Sequence, residues 1–308
     1  MMMKNHIVSL VLSVFLLTGC GGQANNKAKT EVPVFPRVER PVTITDPQLM
    51  ADFLTQHYWD KFDFTDTAFV AYPEVLEQAL VDYFVVAPYA SGDLGPQSMA
   101  KLIQQAQADT AIYRIFVERS EHYLWDPNSP YRNEGLFIPV LENMLASDKI
   151  DQATRIRSEY RLELARKNRP GMVANDFTYT LESGRTGKMS QLKAEYLLLF
   201  FNNPGCTACA EIIEHIRNSP IMNKLEAEER LTVLAVYPDE DLAEWRNYLS
   251  KMPREWINGY DPGTVIKGEN LYDLKAIPTL YLLDKDKKVL LKDPTIAEVE
   301  GFLQQQSQ

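Results

Sequence analysis

The chain has 308 residues, 45% of them hydrophobic, which is enough apolar material for the cores of two modest domains. Its formal net charge is −10, with 42 acidic against 32 basic side chains and no basic block, which argues against a nucleic-acid partner. Only three cysteines are present, which is few for an exported protein.

The N-terminus has the pattern of an export signal. Lys4 precedes an apolar run over residues 7–17 that is too short to span a bilayer as a mature helix. The run ends in Leu17-Thr18-Gly19-Cys20, which resembles a bacterial lipobox. The resemblance implies that residues 1–19 are a signal peptide and that acylated Cys20 anchors the mature protein in the lipid bilayer. An ordinary secretory signal, with Cys20 incidental, is the alternative.

Residues 20–41 are polar and contain Gly, Asn, Lys and Pro, which predicts a flexible tether between the anchor and the folded protein. Gly21 follows Cys20, so the aspartate-type signal that retains lipoproteins in the inner membrane is missing. We therefore expect a lipoprotein of the cell envelope, held in the outer membrane and facing the periplasm.

Residues 42–168 predict an all-α domain, because apolar residues recur at helical spacing behind capping residues. Helices are expected to begin near these residues: Asp46, Pro73, Gln97, Asp109 and Asp151. A further helix over residues 136–145 is expected to be interrupted at Pro139. Antiparallel packing of these helices as a small bundle would bury their apolar faces.

A proline-rich loop in this half carries an aromatic and polar cluster, formed by Tyr123, Trp125, Tyr131 and Arg132. We expect the cluster to pack the loop rather than to bind a ligand, because aromatic side chains mostly serve packing. His57 and His122 are isolated in the sequence and are expected to be structural rather than metal ligands.

From residue 172 the pattern changes to alternating strands and helices, which predicts an α/β domain over residues 172–308. Strands are expected over these ranges: 176–181, 197–201, 231–237, 279–284 and 289–291. Asp239 is expected to cap one helix, and Thr295 is expected to cap the C-terminal helix.

A pair of cysteines, Cys206 and Cys209, follows a buried strand and a Pro204-Gly205 turn and opens a predicted helix. Unpaired N–H groups and the dipole at a helix start favour a thiolate over a thiol. The thiolate is the nucleophile of disulfide exchange, so this placement predicts a redox dithiol. We expect Cys206 to attack a partner disulfide and the more buried Cys209 to resolve the mixed disulfide.

The second motif is Ala276-Ile277-Pro278-Thr279-Leu280, about seventy residues after the cysteine pair. The two motifs together resemble the dithiol and cis-proline loop of thioredoxins, over residues 172–308. The added segment before Pro278 resembles the exported TlpA/ResA and peroxiredoxin-related branch of that family. The resemblance implies the following site: catalytic Cys206, Cys209 and Pro278, with substrate contacts by Ile277, Thr279 and Gly205.

The same resemblance implies a three-layer α/β/α sandwich without a cofactor, and a cis peptide that places Pro278 against Cys206. Residues 124–133 resemble an uncharacterised helical domain that precedes thioredoxin-like domains in some Gram-negative lipoproteins. That second resemblance implies an arrangement of domains and no activity.

Two positions depart from the thioredoxin pattern. Gly205 stands where thioredoxins usually carry a Trp, and Phe200 stands where a buried acid often assists proton transfer. Glu211 and Glu214 lie on the predicted helix and are expected to be solvated charges. The residues between the cysteines leave the direction of catalysis open. We expect reduction of exported protein disulfides, with a membrane electron donor, because the branch it resembles mainly keeps exported thiols reduced.

Four other functions compete with this prediction. A zinc site would need two further ligands, and His215 lies in poor register to supply one. A structural disulfide closing so short a loop would restrain the unfolded chain little. A thiol peroxidase would need an activating Pro-x-x-x-Thr-x-x-Cys pattern, which the sequence lacks. A binding or scaffold lipoprotein without redox turnover is the alternative from another class.

Overall fold

The structure is a computed structural model that describes residues 32–147 and 150–307. The predicted signal peptide, the predicted lipidation residue Cys20 and the first part of the predicted tether lie outside the described residues. Within the described ranges, no helix combines the length and the apolar character that crossing a membrane requires.

The last part of the predicted tether packs on the helical half. The ring of Phe35 stacks on Tyr58 with the centroids 5.6 Å apart, and Arg37 pairs with Asp82 at 3.0 Å. Residues 32–41 form neither helix nor strand, but these contacts hold them against the helices. Residues 32–41, the last part of the predicted tether, therefore pack on the helical half.

The helical half contains six α-helices in its described part. They are α1 (Pro47–His57), α2 (Pro73–Val86), α3 (Leu94–Ala106), α4 (Thr110–Leu124), α5 (Glu134–Ala146) and α6 (Gln152–Arg166). Short 3₁₀ turns cover Thr67–Ala71 and Ala87–Tyr89. Their apolar faces share one core, in which Leu80, Phe116 and Leu141 are fully buried. This half is therefore the all-α bundle that the helical spacing predicts.

The helices begin largely where capping residues stand in the sequence. Asp46, Asp109 and Asp151 each accept hydrogen bonds from backbone N–H groups of the first turn, as predicted. The expected interruption at Pro139 is wrong, because α5 continues through it. Pro139 is the sixth residue of α5, its missing N–H removes the bond to the Gly135 carbonyl, and the residue is buried.

The second half forms a seven-stranded sheet. The strands are β1 (Thr178–Leu181), β2 (Thr186–Lys188), β3 (Tyr196–Phe201), β4 (Leu231–Tyr237), β5 (Ile257–Tyr260), β6 (Thr279–Asp284) and β7 (Val289–Lys292). Their order across the sheet is β2-β1-β5-β4-β3-β6-β7. The central strands β3, β4 and β5 are parallel, whereas β6 runs antiparallel to β3.

The register of the two central antiparallel strands positions the site. Phe201, the last residue of β3, lies opposite Thr279, the first residue of β6. The segment that leaves β3 is therefore beside the segment that enters β6. This brings the loop of Cys206 next to the loop of Pro278, although 71 residues of sequence separate Cys206 from Ile277.

Helices cover the sheet unequally. They are α7 (Thr207–Asn218), α8 (Pro220–Ala227), α9 (Leu242–Tyr248), α10 (Val265–Gly268) and α11 (Ile296–Gln306), with 3₁₀ turns at Met189–Gln191 and Leu249–Lys251. On one face, Leu198 and Phe200 pack in a core with residues of α7, α8 and α11. On the other face, Leu197 and Leu199 pack with Ile266 of α10 and with loop residues. The sheet is thus enclosed on both faces, in agreement with the predicted α/β class.

Candidate active site

The cysteine pair lies where β3 passes into α7. Gly205 has φ +73°, a backbone conformation that favours glycine, and it is exposed. Cys206 is the N-cap residue of α7, and its Sγ accepts a hydrogen bond from the backbone N–H of Cys209 at 3.1 Å. A sulfur in this position receives a backbone donor and lies at the positive end of the helix dipole, so negative charge on it is favoured.

The two sulfur atoms have different surroundings. Cys206 is partly exposed, whereas Cys209 is fully buried, and both are free thiols. Burial, and next the hydrogen bond with Cys206, raises the pKa of the Cys209 thiol to about 12. The pair therefore combines one accessible sulfur with one that stays protonated and shielded from solvent.

The Pro278 loop faces the accessible cysteine. The peptide bond between Ile277 and Pro278 is cis, as predicted, and both residues are partly exposed. The Ile277 carbonyl oxygen lies 3.9 Å from Cys206 Sγ, within reach of a weak S–H hydrogen bond. The loop thus presents backbone next to the sulfur that is open to solvent.

Thr279 occupies a different place from the one predicted for a substrate contact. It is 2% exposed, and its hydroxyl donates to the Ala276 carbonyl at 2.6 Å. The side chain therefore braces the Pro278 loop from within and is closed to a substrate. Gly205 and Ile277 remain on the accessible side of the dithiol.

The acidic residues near the dithiol lie outside its core. Phe200 is fully buried at the position where thioredoxins often carry an acid. Glu211 and Glu214 are both exposed on α7, as the sequence predicts. His215 pairs with Glu300 at 2.9 Å instead of approaching the cysteines. Across residues 32–147 and 150–307, no three His, Cys, Asp or Glu side chains are grouped to hold a metal ion.

Two features beside the dithiol were not predicted as site residues. Tyr248, at the end of α9, packs against the apolar cluster that contains Cys209. Burial raises the pKa of Tyr248, and ionisation of either nearby cysteine would raise it further. Its place on the apolar face of α9 was the available signal, but such a face predicts packing as readily as a site.

The second unpredicted feature is a polar chain at the ends of β3 and β4. Asp239 accepts from Asn203 Nδ2 at 2.7 Å and pairs with Lys267. The predicted helix cap at Asp239 is therefore wrong, and Asp241 caps α9 with bonds from Ala243 N and Glu244 N. Asp239 is drawn away because the carboxyl ends of parallel strands bring it next to the cysteine loop.

Comparisons with known proteins agree with this geometry. A family model described as thioredoxin-like matches residues 194–289, and a model for a domain of unknown function, DUF5106, matches residues 19–168. The chain is 29% identical over 140 residues to the thiol-disulfide oxidoreductase ResA of Bacillus cereus, covering 44% of this chain and 76% of that protein.

A solved structure extends the likeness to both halves. The crystal structure of a thioredoxin-like protein from Bacteroides caccae is 46% identical in sequence and superposes with a TM-score of 0.84. The match covers 89% of this chain and 99% of that one. The predicted fold class, a helical domain followed by a thioredoxin-like α/β domain, is confirmed. The chain therefore belongs to the thioredoxin-like proteins, as a thiol-disulfide oxidoreductase whose redox domain follows a helical domain of unknown function.

Proposed function

We propose that this protein is a lipid-anchored reductase of disulfides in exported proteins, acting through Cys206 and Cys209. The observation that carries the proposal is the contrast between the sulfur atoms, one partly exposed at a helix start and one 0% exposed. An enzyme that captures a substrate sulfur and then releases it needs this division between attacking and resolving thiols.

The reaction moves two electrons from the dithiol to the substrate. The Cys206 thiolate attacks one sulfur of a substrate disulfide, forming a mixed disulfide and breaking the substrate S–S bond, and the departing thiolate takes a proton from water. Cys209 then loses its proton to water and attacks Cys206 Sγ. This forms the disulfide between Cys206 and Cys209 and releases the second substrate thiolate.

The partners in this proposal follow from the family resemblance and the export signal. Extended segments of exported proteins would lie against the Ile277 backbone and the Gly205 turn, in the manner of strand addition. A membrane electron donor would reduce the disulfide between Cys206 and Cys209 after each turnover. Reduction is the proposed direction because the TlpA/ResA branch mainly keeps exported thiols reduced.

Trapping in living cells tests the enzyme and its substrates together. In Cys209→Ser the first exchange proceeds and the second cannot, so mixed disulfides through Cys206 should accumulate and be resolved by diagonal gels and mass spectrometry. The matched control is Cys206→Ser, which should capture nothing. Purified reduced protein, in a Cys20→Ala background that leaves only the dithiol, should reduce insulin.

Failure of both assays would overturn the proposal. Absence of captured partners together with absence of insulin reduction would favour a binding or scaffold role. Rapid consumption of hydrogen peroxide without insulin reduction would favour a thiol peroxidase. A deletion strain that is fully complemented by Cys206→Ser would also show that redox turnover is not the function.

The proposed anchor needs a separate experiment. Cells fed an alkyne-bearing fatty acid should label the wild-type protein and should not label Cys20→Ala. Fractionation of the envelope should place the labelled protein in the outer membrane, with protease access deciding its face. Equal labelling of both proteins would contradict lipidation at Cys20.

A further inference from the structure

The segment that carries Ile277 and Pro278 is held in its own domain by packing and not by strand pairing: Tyr272 is 2% exposed in the apolar core on one face of the sheet, and its hydroxyl donates to the Asn175 carbonyl at 2.6 Å. Residues 271–278 form neither helix nor strand, so no β-ladder holds them. Yet this segment ends at the carbonyl oxygen that lies 3.9 Å from Cys206 Sγ. Whatever fixes this segment therefore fixes the backbone that faces the reactive sulfur.

The helical domain contacts the segment at Lys275, two residues before Ile277. The Lys275 ammonium pairs with Glu134 Oε1 at 3.0 Å and lies 3.8 Å from the centroid of the Trp125 ring. Both partners belong to the helical half, Glu134 as the first residue of α5 and Trp125 at the end of α4. The ion pair and the cation–π contact each attract the ammonium, so they restrain the same atom from two sides.

The contact is well shielded from water. The side chains of Lys275 and Glu134 are each 15% exposed, and Asp273, which pairs with Lys275 at 2.6 Å, is 3% exposed. The second carboxylate oxygen of Glu134 binds Lys292 of β7 at 2.7 Å. Charges buried to this degree are costly to separate, so the position of the ammonium is restrained more strongly than by a surface pair.

A second set of contacts lies at the start of the segment, at Asn270 and Leu271. Tyr160 of α6 donates to Asn270 Oδ1 at 3.2 Å, and Lys167 donates to the Asn270 carbonyl at 3.0 Å. Asn168, 2% exposed, donates to the Leu271 carbonyl at 2.8 Å. Asn175 of the sheet domain donates to the same carbonyl at 2.8 Å, so both domains hold the start of the segment, and the helical half contacts it again at Lys275.

We infer that the helical domain is a positioning element of the active site, acting through Glu134 and Trp125 on Lys275. By holding residues 270–278 in place, it keeps the Ile277 backbone ready for a substrate polypeptide beside Cys206. The inference rests on the proposed function only for its consequence in catalysis. The positioning itself is a property of the reduced protein without substrate.

Hydrogen exchange of the full chain tests the positioning directly. Lys275→Met removes the ammonium and keeps a side chain of similar length. We expect amide exchange of the peptide that spans residues 270–278 to become about tenfold faster, because local opening of the segment costs less free energy. Exchange in β3 should stay unchanged. The matched control is Lys101→Met, whose exposed pair with Asp60 lies in the helical half, far along the chain from this segment.

Glu134→Gln provides a second variant if Lys275→Met does not fold. It keeps the shape of the side chain and an acceptor oxygen for Lys275 while removing the charge. Unchanged exchange over residues 270–278 in the variants that fold would overturn the inference.

Kinetics of insulin reduction separate positioning from general damage. In turnover assays with dithiothreitol as the reductant that restores the dithiol, we expect Lys275→Met to raise KM for insulin about tenfold while kcat changes less than about twofold, because substrate docking weakens and the dithiol chemistry stays intact. Lys275→Arg should restore KM to within about threefold of wild type, since a guanidinium can pair with Glu134 and stack on Trp125. A KM that stays at the wild-type value in Lys275→Met, or a loss confined to kcat, would overturn the inference.

The two failures can be told apart. If the wild-type protein does not reduce insulin, the proposed function fails, and hydrogen exchange alone still decides whether the helical domain holds the segment. If the wild-type protein reduces insulin and the variants match it in both assays, the proposed function stands and the positioning role is lost.

Discussion

The dithiol and the junction between the two domains are opposite kinds of buried site. Cys209 lies among apolar side chains, and Cys206 packs against the same cluster. The junction instead contains six charged side chains that are between 3% and 21% exposed: Arg132, Glu134, Asp273, Lys275, Lys292 and Asp293. Four of them line a crevice of about 710 Å³: Arg132, Glu134, Lys292 and Asp293.

The difference teaches where chemistry resides in this molecule. Buried charges in a crevice often mark a catalytic site, and that rule applied alone would select the junction. The junction charges, however, satisfy one another, with Arg132 paired to Asp293 at 2.8 Å and Glu134 paired to two lysines. Reactivity lies instead at a nearly uncharged position, where a helix start and a difference in exposure distinguish two thiols. The following predictions test this contrast.

The largest effect is expected from removing the attacking sulfur. Cys206→Ser should abolish insulin reduction to below detection, because the hydroxyl is a poor nucleophile at neutral pH. Its free energy of unfolding should change by less than about 1 kcal/mol, since the side chain is partly exposed and serine is a good N-cap. Turbidity assays and urea denaturation measure the two quantities. Substantial residual activity would place the nucleophile elsewhere.

The opposite behaviour is expected at the junction. Arg132→Met leaves the Asp293 carboxylate without its partner, so the free energy of unfolding should fall by about 2–4 kcal/mol. The rate at which iodoacetamide alkylates Cys206 should stay unchanged. The matched control Arg114→Met removes an exposed pair with Glu118 and should cost less than about 0.5 kcal/mol. Equal losses in both variants would show that the junction charges are no more important than surface charges.

A smaller effect is expected at the turn before Cys206. Gly205→Ala should lower the free energy of unfolding by about 1 kcal/mol, because φ +73° is unfavourable for alanine. No atom lies within 4 Å of the added Cβ, so we expect no clash and insulin reduction within about threefold of wild type.

The control for that variant is Gly301→Ala in α11, where the added Cβ also meets no atom and φ lies outside the left-handed region. This change should stabilise the protein by about 0.5–1 kcal/mol, since alanine favours helices. A loss at Gly301 similar to that at Gly205 would remove the conformational explanation.

The smallest effect concerns pH. Burial raises the pKa of the Asp293 carboxyl above its usual 3.8, against the opposing effect of Arg132. The folded protein therefore holds this proton more tightly than the unfolded chain. The stability that Asp293 contributes is full below pH 3.8 and is lost as the pH rises through the folded pKa.

Asp293→Asn removes that titration. We expect the unfolding free energy of the variant, relative to wild type, to rise with pH across that window, measured by urea denaturation at several pH values. A constant difference between the two proteins at all these pH values would contradict a raised pKa for Asp293.

Many features of the site could be predicted because they depend on short stretches of chain. The cysteine pair, the turn before it and the apolar strand that precedes it are local patterns, and β6 begins at Thr279 as predicted. The capping residues Asp46, Asp109 and Asp151 are local for the same reason. Resemblance to thioredoxins supplied the cis peptide before Pro278, which spacing alone does not predict.

The predictions failed where a side chain had a choice of partners. Asp239 could cap a nearby helix or bind Asn203 and Lys267. The packing of the strands places it next to Asn203 and Lys267, so it binds them instead of capping the helix. The Thr279 hydroxyl could face a substrate or the Ala276 carbonyl, and in the structure it donates a hydrogen bond to the Ala276 carbonyl. Phe35 lies in a stretch of tether-like composition, yet its ring packs against Tyr58 and Trp59 of the helical half.

By itself the sequence determined the redox dithiol, the order of the two domains and the starts of many helices and strands, because neighbouring residues decide these. Only the tertiary structure brought Glu134 and Trp125 to Lys275, across 141 residues of chain in the case of Glu134. Ion pairs between domains depend on how two separately formed surfaces dock, and no local pattern of charges encodes that docking. The sequence of the helical half therefore indicated no role in the active site. In the folded protein this half contacts the loop that faces the reactive sulfur.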